Sequence, residues 1–237
     1  MSERRNQYDQ PIGPVVAGWT ERPRPPRRAL HGRYCRLEPV DPKCHAAALF
    51  TAYMEAPDAR DWTYLFAERP ETPALFQEYL ITLAHSEDPL HYVIVDGVTD
   101  TPVGTAALMR IVPAHGVIEV GSIAYSPRIK QTRAGTEAMY LFMRLVFDEL
   151  RYRRYEWKCD SLNGPSRAAA LRYGFTFEGI FRKAIVYKGR NRDTAWFSII
   201  AEEWPRIRSA FETWLDPANF DADGMQRRPL ADIRASL

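Results

Sequence analysis

The stretch that most limits what this chain can become is residues 117–175, which reads strand, basic turn, long helix, strand, short helix. Residues 117–125 (VIEVGSIAY) are apolar on both faces, as a strand covered on both sides must be, and Pro127 ends them. The chain then turns through Arg128, Lys130, Gln131, Thr132 and Arg133 into a helix expected over 134–150, whose stripe is Ala138, Leu141, Phe142, Leu145 and Val146. Glu137, Arg144 and Asp148 are expected on its other faces. A second strand, 155–161, leads to Asn163 and Ser166 at another helix start. A strand that follows a crossover helix normally lies parallel to the one before it, so a β-α-β unit sits at the centre of the fold. The basic turn lies at a helix N-terminus, where backbone N–H groups point outward without partners. A phosphate or pyrophosphate binds well at such a place.

The flanking chain reads as follows. Residues 33–40 alternate like a first strand, Asp41 caps the next element, and Pro42 takes its first helical position. Helices are expected at Ala46, Leu49, Phe50 and Tyr53, and again over 73–85. Strands at 91–95 and 103–112 continue into 117–125 through two turns, an antiparallel meander. A helix over 165–173 ends at Gly174, which supplies a left-handed cap. Strands at 178–187 and 194–201 are joined by the charged hairpin 188–193, and a last helix covers 202–215. The expected fold class is therefore α/β (α+β): a mixed, mostly antiparallel sheet of about seven strands flanked by helices, with a central β-α-β crossover. Residues 1–30 are an extended Pro/Arg-rich arm lying on the domain, 31–216 a single domain, and 217–237 a loose C-terminal tail.

Composition excludes several classes. With 46% hydrophobic residues, 26% charged residues and a net charge of +2 over 237 residues, the chain needs neither a nucleic acid nor a membrane as partner. The Arg-rich segments 22–28 and 151–154 are explained by an arm and a helix end. Three cysteines in no CxxC pair and five histidines without ligand spacing point to no metal and to a reducing, cytoplasmic setting.

The strand ending in Tyr125-Ser126-Pro127, the Thr136-Glu137-Ala138 opening of the helix, and Asn163-x-x-Ser166 followed eight residues later by Gly174-Phe175 resemble the GCN5-related N-acetyltransferases (GNAT), in particular the RimJ/RimL-type branch. The likeness covers residues 32–204 and lies in the order and spacing of the motifs. It implies acetyl-CoA as cosubstrate and direct transfer, in a ternary complex, to a primary amine. That acceptor is a protein N-terminal α-amine or a small-molecule amine, and the enzyme a monomer or homodimer. An acyl-CoA-binding module with little or no catalysis is the alternative, because the phosphate turn departs from the family. Two of its glycines are replaced, by Gln131 and Arg133.

The resemblance also assigns roles. Lys130, Gln131, Thr132, Arg133, Ala134, Gly135 and Thr136 would hold the pyrophosphate, provided Gln131 and Arg133 avoid positive φ. Backbone N–H groups of Ile123, Ala124 and Tyr125 would lie along the thioester and stabilise the oxyanion. Asn163 would bond the pantetheine arm and Ser166 would donate to the sulfur, although Ser166 also suits a helix-start hydrogen bond. The Tyr common in the superfamily seven residues after this Asn is Ala170 here. Glu119, a carboxylate within an apolar strand, is the first candidate base or else an ion-pair partner of Lys158 or Arg110. Asp160, on one strand face with Glu156 and Lys158, is the second. Glu119 and Asp160 would line the acceptor site together with Trp62, Tyr64 and Phe66, which read equally as core aromatics. The hairpin 188–193 is a solvated tip or a lip on that pocket.

Overall fold

A computed structural model describes residues 4–237; residues 1–3 of the arm lie outside the described residues. Among the described residues ten strands occur in chain order: β1 (Arg4–Arg5), β2 (Pro11–Ile12), β3 (Leu30–His31), β4 (Cys35–Pro39), β5 (Leu90–Asp96), β6 (Pro102–Val112), β7 (Val117–Tyr125), β8 (Arg154–Asp160), β9 (Thr176–Tyr187) and β10 (Arg190–Ile200). The helices are α1 (Pro42–Met54), α2 (Pro73–His85), α3 (Arg133–Arg144), α4 (Gly164–Tyr173), α5 (Trp204–Leu215) and α6 (Leu230–Ala235). Strands β3 to β10 form one eight-stranded sheet in the order β3-β4-β5-β6-β7-β8-β10-β9, and β1 pairs with β2 apart from it. Every neighbouring pair in the large sheet is antiparallel except β7 and β8.

Local chemistry accounts for the helix ends. The Asp41 side chain accepts the Lys43 N–H and Pro42 opens α1; Thr72 and Pro73 do the same for α2. Gly174 closes α4 in the left-handed region at φ +99°. The long helix is shorter than its apolar stripe suggests, because α3 passes at Leu145–Glu149 into a π-helical turn. The β9–β10 hairpin is tighter than expected: Lys188 (φ +49°) and Gly189 (φ +68°) make the turn, and Arg190 already belongs to β10.

Helices α3 to α6 pack on one face through Phe142, Tyr173, Phe211, Leu230 and Ile233. On the other face, Leu49, Tyr53, Phe76 and Leu80 of α1 and α2 cover Val93, Val95 and Ala124. There β8 and β10 carry Glu156, Lys158, Asp160, Thr194, Trp196 and Ser198 in place of an apolar seam. The segment expected as a loose tail is packed. Leu230 and Ile233 are each 1% exposed, and Arg234 donates to the Arg172 and Leu171 carbonyls at 2.7 and 3.0 Å. Its apolar residues are too few to form a periodic signal, yet enough to seat a short helix. The arm lies on the domain: Trp19 Nε1 donates to Ala114 O at 3.0 Å and Tyr92 Oη to Pro26 O at 3.0 Å. Among the described residues no helix is long and apolar enough to cross a membrane.

The feature that positions the site is a split in the sheet. Strands β7 and β8 pair only from Val117↔Arg154 to Val120↔Trp157. Beyond that point β7 follows β6 to Tyr125, opposite Gly104, while β8 follows β10 to Asp160, opposite Thr194. A bulge bends β7 away. Ala107 faces Gly121 and Thr105 faces Ala124, so Ser122 and Ile123 share one position, with Ser122 at φ +49°.

Candidate active site

The gap exposes main chain. Ser126 N–H donates to Val103 O at 3.1 Å, on the β6 side, so by strand alternation the Tyr125 N–H points the other way, into the gap. Two tyrosines hold this strand. Tyr53 Oη donates to Ala124 O at 3.0 Å, and Tyr125 Oη donates to Gly135 O at 2.8 Å, tying the strand to the first turn of α3. That approach requires the glycine, since a Cβ on Gly135 would stand 2.7 Å from Ile129 O.

At the turn, Thr132 caps α3. Its Oγ1 accepts the Gly135 N–H at 3.1 Å, and Thr136 N–H bonds Thr132 O at 3.3 Å. The first two helical amides, of Arg133 and Ala134, have no acceptor within the helix. Gln131 does not avoid the left-handed region; it sits at φ +59°. The backbone path that glycine would follow freely is kept, at a strain of roughly 1–2 kcal/mol. The cations behave differently from the expectation. Lys130 Nζ lies 2.5 Å from Asp61 Oδ2, Arg128 pairs with Glu55, and Arg133 is sandwiched between the rings of Tyr34 (5.0 Å) and Phe220 (4.7 Å). The cations of this corner are thus engaged with carboxylates and rings of the protein itself, Arg128 and Lys130 at the surface.

Across the gap, Asn163 Oδ1 accepts the Ser166 N–H at 3.1 Å and caps α4, which leaves the Asn163 amide NH2. Ser166 Oγ accepts from Trp157 Nε1 at 3.0 Å. Burial raises the Cys159 thiol above its usual range, and a hydrogen bond from Ser166 partly opposes this. The helix-start bond expected of the Ser166 side chain is not made: its Oγ turns to Trp157 and Cys159, and Asn163 caps the Ser166 N–H. Asn163→Asp keeps the capping oxygen and removes the NH2. It should leave the melting temperature unchanged while raising the acetyl-CoA Kd about tenfold, the loss of one hydrogen bond. Calorimetric titration beside a thermal melt checks both, and an unchanged Kd removes the pantetheine role.

On the face shared with α1 and α2, a row of alternating charges drawn from β6, β7, β8 and β9 runs across the sheet. Glu119 Oε2 lies 2.8 Å from Lys158 Nζ and 3.1 Å from Arg110 Nε, the two partners its sequence context suggested. Lys158 also meets Glu156 (2.6 Å), Glu156 meets Arg154 (2.6 Å), and Arg154 meets Glu178 (2.5 Å). Burial pushes the Glu119 carboxyl up, against the pull of Lys158 and Arg110. Asp160 is held by the Leu162 N–H and by Tyr187 Oη, each at 2.9 Å, so both of its oxygens are engaged. Burial and the Asp160 charge push the Tyr187 phenol up to about 12, which keeps it a donor.

Trp62 is a core aromatic, 3% exposed and edge-on to Tyr53 and Tyr79. Tyr64 and Phe66 stand at the rim: Tyr64 Oη donates to Leu162 O at 3.3 Å, and Phe66 packs on Tyr187. The β9–β10 hairpin closes on this loop, with Lys188 Nζ donating to Trp62 O (2.8 Å) and Arg190 to Thr63 O (2.9 Å). Thr194 and Trp196 stand on the same face and were not singled out from the sequence. Among the described residues their buried Oγ1 and Nε1 atoms have no partner, and they stand opposite Asp160 and Lys158. Alternation along 190–200 was legible; the register that brings it against β8 was not.

Residues 35–176 match the family model described as "Acetyltransferase (GNAT) domain". A GCN5-related N-acetyltransferase from Brucella melitensis superimposes with a TM-score of 0.91 at 49% identity, covering 93% of this chain and 100% of that one. A probable GNAT-family acetyltransferase from Chromobacterium violaceum gives 0.76 at 39% identity, covering 83% and 98%. An acetyltransferase from Salmonella typhimurium, described as modifying the N-terminal serine of ribosomal protein L7/L12, shares the fold at 0.62 and 19% identity over 73% of this chain and 99% of that one. No curated protein matches the chain. With the family model over more than half of its length and solved relatives at 49% and 39% identity, this chain is a member of the GNAT superfamily, an acetyl-CoA-dependent acetyltransferase.

Proposed function

We propose that the protein transfers an acetyl group directly to a primary amine in a ternary complex, in the manner of the RimJ/RimL-type branch. The observation that carries this reading is the gap above Val120 and Trp157. It turns the Tyr125 N–H, which points away from β6, toward the same strand pair that presents the buried Glu119. Bound acetyl-CoA supplies the activated acyl thioester. The Arg133 and Ala134 amides would hold its pyrophosphate, with Lys130, Gln131, Thr132, Gly135 and Thr136 shaping the turn. Asn163 and Ser166 would meet the pantetheine end. The Tyr125 N–H, with Ile123 and Ala124 beside it, would face the carbonyl oxygen where negative charge develops.

The acceptor enters from the Glu119 face, past Tyr64 and the β9–β10 hairpin. A peptide α-amine with a pKa near 8 is roughly 10% neutral at pH 7, whereas a lysine near 10.4 is less than about 0.1% neutral. An α-amine therefore asks less of Glu119, and the protein-directed activity stated for the Salmonella relative fits that economy. Glu119 accepts the amine proton, and Asp160, fixed by Tyr187, shapes the floor. Ser166 donates to the departing thiolate.

An acyl-CoA-binding module without turnover is the competing reading, favoured by the strained Gln131 and by cations engaged elsewhere. Free-thiol release from acetyl-CoA, measured with a panel of N-terminal peptides and small amines and read in parallel by mass spectrometry, separates the two. Thiol release coupled to a mass gain of one acetyl group on an amine supports transfer. Tight acetyl-CoA binding with no acceptor-dependent release overturns it.

A further inference from the structure

We infer that Lys158 is a positioning residue that keeps Glu119 in its proton-accepting form, by standing between two carboxylates that would otherwise share a proton. The inference rests on the role proposed above for Glu119. Glu119 and Glu156 are direct register partners on the parallel pair β7 and β8, and their side chains are 5% and 8% exposed. Neighbouring strands lie ~4.8 Å apart, so two like charges are forced together away from water. Lys158, 6% exposed, places one ammonium 2.8 Å from Glu119 and 2.6 Å from Glu156. The Trp196 ring, 3.9 Å from Nζ, covers the same ammonium.

The charged groups that face Glu119 are few. Arg110 reaches it from β6 but is 51% exposed, so solvent and salt screen it. Lys158 and Glu156 reach it from β8. Glu156 is shared with Arg154, which Glu178 draws toward β9. Strand β10 offers Trp196 and Ser198, neither of which titrates as an acid or base here. Removing the Lys158 charge leaves two buried carboxylates side by side with nothing between them, Arg110 half-exposed at the Glu119 end and Arg154 divided between Glu156 and Glu178 at the other, and such a pair holds a shared proton more readily. A base that retains a proton cannot accept one.

Position strengthens the case. Lys158 is the first β8 residue beyond the last β7–β8 pair, Val120↔Trp157. Its ion pair with Glu119 therefore bridges the two strands at the apex of the gap. A lysine whose only task was to pin those strands would, when lost, lower activity at every pH alike. A lysine that sets the charge of Glu119 would, when lost, move the pH at which activity appears.

The experiment is a pH profile of kcat/KM for the full-length chain with acetyl-CoA and its best amine, together with a carbon-detected NMR titration of the Glu119 carboxyl. Both are run on wild type, Lys158→Met and Lys158→Arg. Lys158→Met should displace the acid limb and the Glu119 resonance upward by about one pH unit or more. On the acid limb, at a fixed pH below it, activity should fall about tenfold and recover at higher pH, while Lys158→Arg keeps both near wild type. Glu156→Gln, which removes the competing carboxylate and keeps the fold should Lys158→Met not fold, should move both readouts downward. An unshifted limb and resonance in Lys158→Met, or an upward shift in Glu156→Gln, overturns the inference. Full turnover in Glu119→Gln would instead sink the base reading, and the NMR titration would still report whether Lys158 holds that carboxylate ionised.

Discussion

Glu137→Ala should be the most damaging single substitution in the chain, costing about 3–5 kcal/mol and lowering the melting temperature by roughly 10 °C. The Glu137 carboxylate, 5% exposed, accepts three backbone N–H groups: Arg33 at 2.8 Å, Tyr34 at 2.6 Å and Cys35 at 2.9 Å. Its removal strands three donors in a packed turn, and each unsatisfied buried donor costs ~1–3 kcal/mol. The turn is built around this carboxylate. A Cβ on Gly32 would stand 2.3 Å from Glu137 Oε2, so no other residue fits there without displacing it. Burial and the Glu137 charge also drive the neighbouring Cys35 thiol far above its usual range, which leaves it inert. Glu137→Gln keeps acceptor oxygen but loses charge, and should cost about half as much. Thermal melts of both variants check the series. A shift of less than about 3 °C for Glu137→Ala would show that water replaces the carboxylate at little cost.

The second large effect is on turnover. Glu119→Gln should lower kcat by about 10²-fold at neutral pH, within the range of a positioned general base, with little change in the acetyl-CoA Kd. The fold should survive, because Lys158 retains Glu156 as its partner. The direction with pH follows from the state required. A base works ionised, so the rate rises as Glu119 loses its proton, and burial places that limb above the ordinary carboxylate range. Lys158 and Arg110 pull it back down. In Glu119→Gln the limb disappears, and the variant should approach wild type above about pH 9, where an α-amine deprotonates unaided. A kcat unchanged at neutral pH would end the role of Glu119 as base.

What the sequence discloses and what it conceals follow physical lines. The central β-α-β unit, the Asp41-Pro42 and Gly174 caps, and the partners of Glu119 were legible because each depends on residues close in sequence or on a strict period. The split between β7 and β8 was not, since it turns on a bulge at Ser122, where a serine occupies a backbone region that a glycine would have advertised. Gln131 hid its left-handed φ in the same way. Glu137 lies off the apolar stripe, which reads as an outward face. The chain instead folds residues 33–35 back onto it, a tertiary contact invisible to helical periodicity. Trp62, Thr194 and Trp196 depended on register between distant strands and helices, and only the assembled sheet sorts core from site.

Everything proposed for the reaction requires acetyl-CoA to lie in the gap between β7 and β8. Amide hydrogen exchange with and without saturating acetyl-CoA addresses this directly. Slowed exchange is expected over residues 123–125 and at Arg133 and Ala134, with the arm at residues 19–28 unaffected. Unchanged exchange at both places, with the ligand demonstrably bound, would put the thioester elsewhere and contradict the account.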